Sequence, residues 1–257
     1  MSSNDDRAAR ARAWHHAAHE AVCDVIEPWE HGTIARATEW PSYFDFNVVR
    51  VEEDPGMSVD ELAAFVDEAL AGLPHRRLDV ESLEIAAPLL GGFRERGWLS
   101  YPLVWMLHEG PPPREPDVAV EAVAHEAVDE LRLAWHREDF PDEPPGDYLE
   151  QARHADRLLG AQVFAVRDDG VPVAFAQVER IGQSAEVSQV FVRSDHRGRG
   201  LGTALTCAAM KAAGEVRDLW IVADDDGRAK DLYSRLGFRP VWRARVLLRL
   251  GAERRTS

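Results

Sequence analysis

Three consecutive prolines, Pro111 to Pro113, interrupt this 257-residue chain near its middle. Proline fixes φ and lacks a backbone N–H, so such a run continues neither a helix nor a central strand. With Gly110 before it and Pro116 after it, the run predicts a linker over 111–117, a first domain over 1–110 and a second over 118–257. Each segment is long enough to enclose a core. In the first, Ala8–Ile26 has helical spacing, Phe44–Val51, Arg77–Val80 and Tyr101–Leu107 read as strands, and Leu89–Arg96 reads as helical. Ser58 and Glu61 have the spacing of a capping box ahead of Leu62, Phe65, Val66, Ala69 and Leu70. In the second, strands are expected at Val118–Val123, Gln162–Val166, Val171–Val178, Glu186–Val192, Leu219–Ala223 and Val241–Leu250. Asp169-Gly170 marks a hairpin turn. Helices are expected near 124–137, 147–158, 201–212 and 229–236, the last stopped by Gly237. The two halves share a strand–helix–strand rhythm, as two decayed copies of one unit would.

The formal net charge is −15. Such a chain is poorly suited to covering phosphate backbones, so nucleic acid is not an expected partner; the charge favours cationic partners such as amines, or serves solubility alone. No apolar run is long enough for a membrane helix, and MSSNDDRAARARAW lacks the apolar core of a signal peptide. The two cysteines, Cys23 and Cys207, form no C-x-x-C pair, so neither a disulfide framework nor a cysteine metal site is expected. A cytoplasmic location is the default expectation.

The segment Arg197-Gly198-Arg199-Gly200-Leu201-Gly202-Thr203 joins an apolar strand to an amphipathic helix. The first amides of a helix lack internal partners and lie at the positive end of its dipole, where an anion is held well. Glycines allow close approach and positive φ, and Arg197 and Arg199 add positive charge. A Walker loop would need a lysine, and a dinucleotide fingerprint would need glycine at Thr203. The alternative is a strand-to-helix turn with no ligand.

The stretch Val190–Thr203 resembles the acetyl-CoA-binding motif of the GNAT acetyltransferases, [QR]-x-x-G-x-[GA]. Asp226-Gly227-Arg228-Ala229-Lys230-Asp231-Leu232-Tyr233-Ser234-Arg235-Leu236-Gly237-Phe238 resembles that family's N-x-x-A-x-x-L-Y-x-x-L-G-F, with Asp226 in place of asparagine. The resemblance covers about 118–250. It implies an α/β fold with a mixed, largely antiparallel twisted sheet flanked by helices, and with the rhythm of the first half it suggests two tandem copies, the N-terminal one degenerate. It also implies acetyl-CoA as co-substrate and acetyl transfer to a primary amine. Transfer would go by direct attack, with a small cationic amine preferred over a protein N-terminus or lysine.

The resemblance implies that the amides from Arg197 through Gly198, Arg199, Gly200, Leu201 and Gly202 to Thr203 hold the pyrophosphate. The backbone of Val190, Phe191 and Val192 would pair with the pantetheine arm, and Asp226 would lie near the cofactor's lower arm. Tyr233 matches the family's general acid. An alkylamine has a pKa of about 10.4, so only roughly one molecule in 2,500 is neutral at pH 7 and a base is useful. Glu186, eleven residues before Arg197, is the candidate; on an unbroken strand it shares a face with Ser188, Val190 and Val192. A solvated glutamate at a strand start is the alternative. A CoA-binding protein without turnover is the rival reading in another class.

Other signals are weaker. His15, His16 and His19 read as a surface cluster rather than metal ligands, since the ligand set is incomplete. The acidic run Glu138–Asp147 suits attraction of a cationic amine or simple solvation, and Trp105 and Trp135 read as core.

Overall fold

A computed structural model describes residues 3–111 and 116–251. Most of the triproline run and the residues just after it lie outside the described residues.

In chain order, helix α1 (Ser3–Val22) is followed by a hairpin of β1 (Val25–Trp29) and β2 (Gly32–Arg36). The helix stops short of the expected Ile26, because Val25 and Ile26 pair with Arg36 and Ala35. A 3-10 turn at Phe44–Phe46 takes the first residues expected as strand, and β3 is Asn47–Val51. Helix α2 (Val59–Ala69) starts at the expected capping box: Ser58 Oγ accepts from the Glu61 amide, and Glu61 accepts from the Ser58 amide. Strand β4 (His75–Val80), short helices α3 (Leu83–Ala86) and α4 (Leu90–Glu95), and β5 (Leu99–His108) follow.

Beyond the prolines come β6 (Glu121–Val123), α5 (Asp129–Asp139) and α6 (Tyr148–Leu158). The chain continues through β7 (Gln162–Asp168), β8 (Val171–Ile181), β9 (Ser184–Val192) and α7 (Leu201–Ala213), then β10 (Asp218–Asp224), α8 (Ala229–Arg235) and β11 (Phe238–Leu250).

These elements form two compact units. The first contains the chain to Val104, Ala223–Gly227 and the segment from Val241 onward; the second contains Trp105–Val222 and Arg228–Pro240. The segment from Val241 joins the first unit through strand pairing: β11 runs antiparallel to β4, with Leu247 opposite Leu78. In the first unit β1, β2 and β3 form an antiparallel meander and β4 lies parallel to β3. Leu62, Val66, Phe93, Trp98 and Leu247 are buried in one cluster on this sheet.

The second unit repeats that order. Strands β7, β8 and β9 are antiparallel, with β6 on β7, and β10 lies parallel to β9. Val128, Leu131, Phe175 and Phe191 form a core cluster, with Trp135 packed against it. In each unit the strand pairing is thus mixed and mostly antiparallel, with helices against the strands. Among the described residues, no helix is long and apolar enough to cross a membrane.

The histidines of α1 are not a surface cluster. His19 is only 3% exposed. Arg50 donates to its Nδ1 (3.1 Å), which leaves the proton on Nε2 to reach the Asp45 carbonyl (3.0 Å). That arrangement requires a neutral ring. Burial lowers the pKa of both His15 and His19.

Leu247 is fully buried in the first unit although it comes from the last strand. Leu247→Ala is expected to cost about 2–5 kcal/mol in urea unfolding. A fragment ending before Phe238 is expected to lose the cooperative transition of the first unit, and a fragment that still melts cooperatively would contradict this assignment.

Candidate functional site

The second unit's site begins with a break in strand pairing. Ser188 lies opposite Gln177 and Phe191 opposite Phe175, so β9 carries one residue more than β8 across this interval. This is a β-bulge, and Gln189 within it has φ +51°, rare for a residue with a side chain. The registered pairs of β9 with β10 run from Ser184–Asp218 to Val187–Ile221 and end there. From Ser188 to Val192 the strand makes no registered pair with its parallel neighbour.

The bulge also changes which side chains share a face. Residues directly opposite each other lie on one face, so Glu186, Ser188 and Phe191 share the face of Glu179, Gln177 and Phe175. The alternation expected for an unbroken strand fails at Gln189: Glu186 does not share a face with Val190 and Val192. Phe191 points to the α5 side, stacked on Trp135 with ring centroids 5.6 Å apart. Trp105 and Trp135 both serve packing, the former 3% exposed.

After β9 the chain makes a 3-10 turn at Ser194–His196 and enters the glycine loop. Gly198 and Gly200 have φ +79° and +81°, and a Cβ at either would meet nothing within 4 Å. The requirement for glycine there is conformational, and the space beside it is open. Gly200 is the N-cap of α7, whose first turn closes with the Ala204 amide on the Gly200 carbonyl (3.1 Å). The amides of Leu201, Gly202 and Thr203 precede that bond and form the exposed positive end of the helix.

The arginines do less than their sequence position suggests. Arg197 Nε donates to the Val192 carbonyl (3.0 Å), its guanidinium lies over the Phe191 ring and it is paired with Glu138. Arg199 lies 3.9 Å from Asp168 and donates to the Asp195 carbonyl. Glu138 of the acidic run is thereby engaged. A cavity of about 540 Å³, walled by Glu130, Arg137 and Glu138 of α5 and by Arg193 to Asp195, opens beside the loop.

Tyr233 on α8 is 6% exposed and edge-on to Phe238. Burial pushes its phenol up to about 12, so it carries its proton throughout the neutral range. The helix ends at Gly237, φ +97°, where a Cβ would lie 3.0 Å from His108 Nε2. Asp226 sits in the turn after β10, its amide bonded to Asp224 Oδ1 (2.8 Å), and is grouped with the first unit.

The sequence reading missed a buried polar network on the Glu186 face. Arg132 Nη2 donates to Asp156 Oδ2 (2.6 Å) and to Gln177 Oε1 (3.0 Å). Gln177 Nε2 donates to Asp156 Oδ1 and Glu179 Oε1, and Ser188 Oγ donates to Glu179 Oε1 (2.6 Å). Burial raises the Glu179 pKa; the bonds from Ser188 and Gln177 oppose that rise and Asp156 adds to it. Two glutamates, Glu179 and Glu186, thus lie opposite each other beside the bulge. A local signal existed, charged residues within an otherwise apolar strand, but its partners lie 21 to 45 residues away.

The first unit differs at the equivalent place. Between β3 and α2 stand Glu52, Glu53 and Asp54 in place of arginines, with a single glycine turn at Gly56 (φ +60°), and the Ser58 capping box already engages the Glu61 amide at the start of α2. No register shift interrupts β2 and β3. This loop repels an anion.

Residues 125–238 match the model of the Acetyltransferase (GNAT) family. An uncharacterised N-acetyltransferase of Methanocaldococcus jannaschii is 34% identical over 87 residues, covering 29% of this chain and 38% of that protein. The match thus spans well under half of that relative. A GCN5-related N-acetyltransferase from Kribbella flavida superposes with a TM-score of 0.56 at 22% identity, covering 93% of this chain and 94% of that one. A tandem GNAT protein from the clavulanic acid biosynthesis pathway superposes at 0.51 and 18% identity, covering 80% and 75%. The structural likenesses establish the fold, and residues 125–238 carry the match to the GNAT family.

The raised Glu179 pKa has a signed consequence for stability. Well below its ordinary value of 4.5 the group is protonated folded and unfolded. As pH rises through the folded pKa, the unfolded chain has already released its proton, and stability falls. Glu179→Gln, which still accepts from Ser188, is therefore expected to gain stability over the wild type between acidic and neutral pH in urea unfolding series. A pH-independent difference would show that Glu179 ionises normally.

Proposed function

We propose that this GNAT domain transfers acetyl from acetyl-CoA to the nitrogen of a small cationic amine by direct attack. The observation that carries the reading is the bulge at Gln189, where registered β9–β10 pairing ends just before an open glycine loop at a helix N-terminus. The α7 amides and the φ-positive Gly198 and Gly200 suit a pyrophosphate. The released backbone from Ser188 to Val192 suits strand-like pairing with an amide-bearing pantetheine arm. The open space at both glycines fits such a ligand.

The proton transfers fall to groups of this chain. The amine must lose a proton to become a nucleophile, and Glu186 is the proposed acceptor. The departing thiolate is protonated by Tyr233, which burial keeps in the phenol form. The preference for a cationic acceptor rests on the net charge of −15 and on the carboxylates around the site, of which Glu138 is already paired with Arg197. Nucleic acid is not a proposed partner, and the two buried cysteine thiols, neither in a disulfide, suit a reducing, cytoplasmic setting. The first unit is read as a degenerate copy that kept the strand order and lost the anion loop.

Calorimetric titration with acetyl-CoA is expected to give micromolar binding to the wild type and none to Gly200→Val or to Gly202→Val. Tyr233→Phe is expected to keep binding and to lose roughly 10²- to 10⁴-fold in turnover with an amine panel, the usual contribution of a general acid. No binding by the wild type would overturn the acyltransferase reading. Binding without turnover of any amine would favour a CoA-dependent regulator.

A further inference from the structure

The first unit carries a second cluster, at the place in its fold that corresponds to the glycine loop. Glu52 directly follows β3 and Glu81 directly follows β4, two parallel neighbours whose ends are in register at Val51 and Val80. The Glu81 amide donates to the Val51 carbonyl (2.9 Å) and holds the two ends together. In open sheets, ligands settle outside the carboxyl ends of parallel strands. Helix α1 brings His16 to the same point, its Nε2 2.5 Å from Glu81 Oε1.

We propose that His16, Glu52 and Glu81 bind one divalent transition-metal ion. One ligand atom from each lies within 4.8 Å of the other two. In a tetrahedral site, zinc bonds of about 2.0–2.2 Å to nitrogen and oxygen set ligand atoms roughly 3.3–3.6 Å apart, so side-chain rotations that move the ligand atoms by about an ångström close the set. One imidazole with two carboxylates suits the borderline Zn²⁺, and Mn²⁺ through the carboxylates, better than Mg²⁺ or Ca²⁺, which prefer oxygen alone.

The surroundings are built as ligands to a metal require. Thr33 Oγ1 donates to Glu52 Oε1 (2.7 Å), fixing one carboxylate oxygen, and the Trp242 indole donates to the Glu81 carbonyl (2.9 Å). Such outer bonds orient metal ligands. Glu81 is 4% exposed at its side chain, while His16 and Glu52 are 25% and 30% exposed, giving an anchor and an entry route. Arg50 Nε, 3.6 Å from Glu52, offsets one negative charge, and Arg77 is shared between Asp79 and Asp45. The fixed charges of Glu52, Glu81, Asp79, Asp45, Arg50 and Arg77 still leave an excess of two negative charges for a cation to neutralise. The same position in the repeated fold thus presents carboxylates here and helix amides there, with ligand charge inverted.

The test does not depend on acetyl transfer. Protein stripped with EDTA and dialysed is titrated with ZnCl₂ and with MnCl₂, and bound metal is counted by elemental analysis after gel filtration. One equivalent of one of these ions, with a rise in melting temperature, is expected for the full-length chain. His16→Ala and Glu52→Gln, both at half-exposed positions, are each expected to weaken binding at least tenfold while unfolding cooperatively. Absence of stoichiometric binding, or binding unchanged in both variants, would overturn the proposal and leave His16–Glu81 as an ion pair.

Discussion

The arrangement of the second unit depends on one residue held where side chains rarely go. Gln189 at φ +51° lets β9 carry an extra residue past β8. Its strain is of the order of 1–3 kcal/mol and must be supported by the packing on either side. That support is visible: Val187 and Ala185 are fully buried before it, and Phe191 is buried after it against Trp135. From the bulge follow the end of pairing to β10, the face on which Glu186 lies, and the course of the chain into the glycine loop. Removing the extra residue would restore a continuous sheet and close the edge that the proposed co-substrate requires.

The sequence made some of this legible and hid the rest for physical reasons. The glycine loop and the Ser58 capping box are local devices whose chemistry lies within a few residues, and both appear at the expected positions. The bulge leaves no trace, since Ser188-Gln189-Val190 has ordinary strand composition. A β-strand's alternation also hides which strand it pairs with, so β11 was readable as a strand but not as the partner of β4. The histidines of α1 were misread because a polar helical face normally faces water. Here it meets Arg50, Asp79 and Glu81, whose positions in the sequence lie 31 to 65 residues away.

The two units show how one element order can be turned to different electrostatics. A strand parallel to the third of a meander creates a pair of carboxyl-terminal ends whose properties depend on the residues that follow. After β9 those residues free helix amides and add cations, some neutralised by Asp168, Asp195 and Glu138. After β3 they engage the Glu61 amide in a capping box and add carboxylates. Residues in two short loops, beside the same strand order, thus give the two strand ends opposite local charge.

The return of β11 to β4 bears on how the protein is made. Ribosomal synthesis delivers the chain from its N-terminus at about 5–20 residues per second, and domains usually fold in that order. The first unit cannot do so, because the strand bearing Leu247 emerges after all its other strands and helices. The exposed edge of β4 must wait for most of the chain, an interval on the order of ten seconds or more at that rate. During that interval the newborn chain presents an unpaired strand edge, the kind of surface that chaperones cover and that invites aggregation.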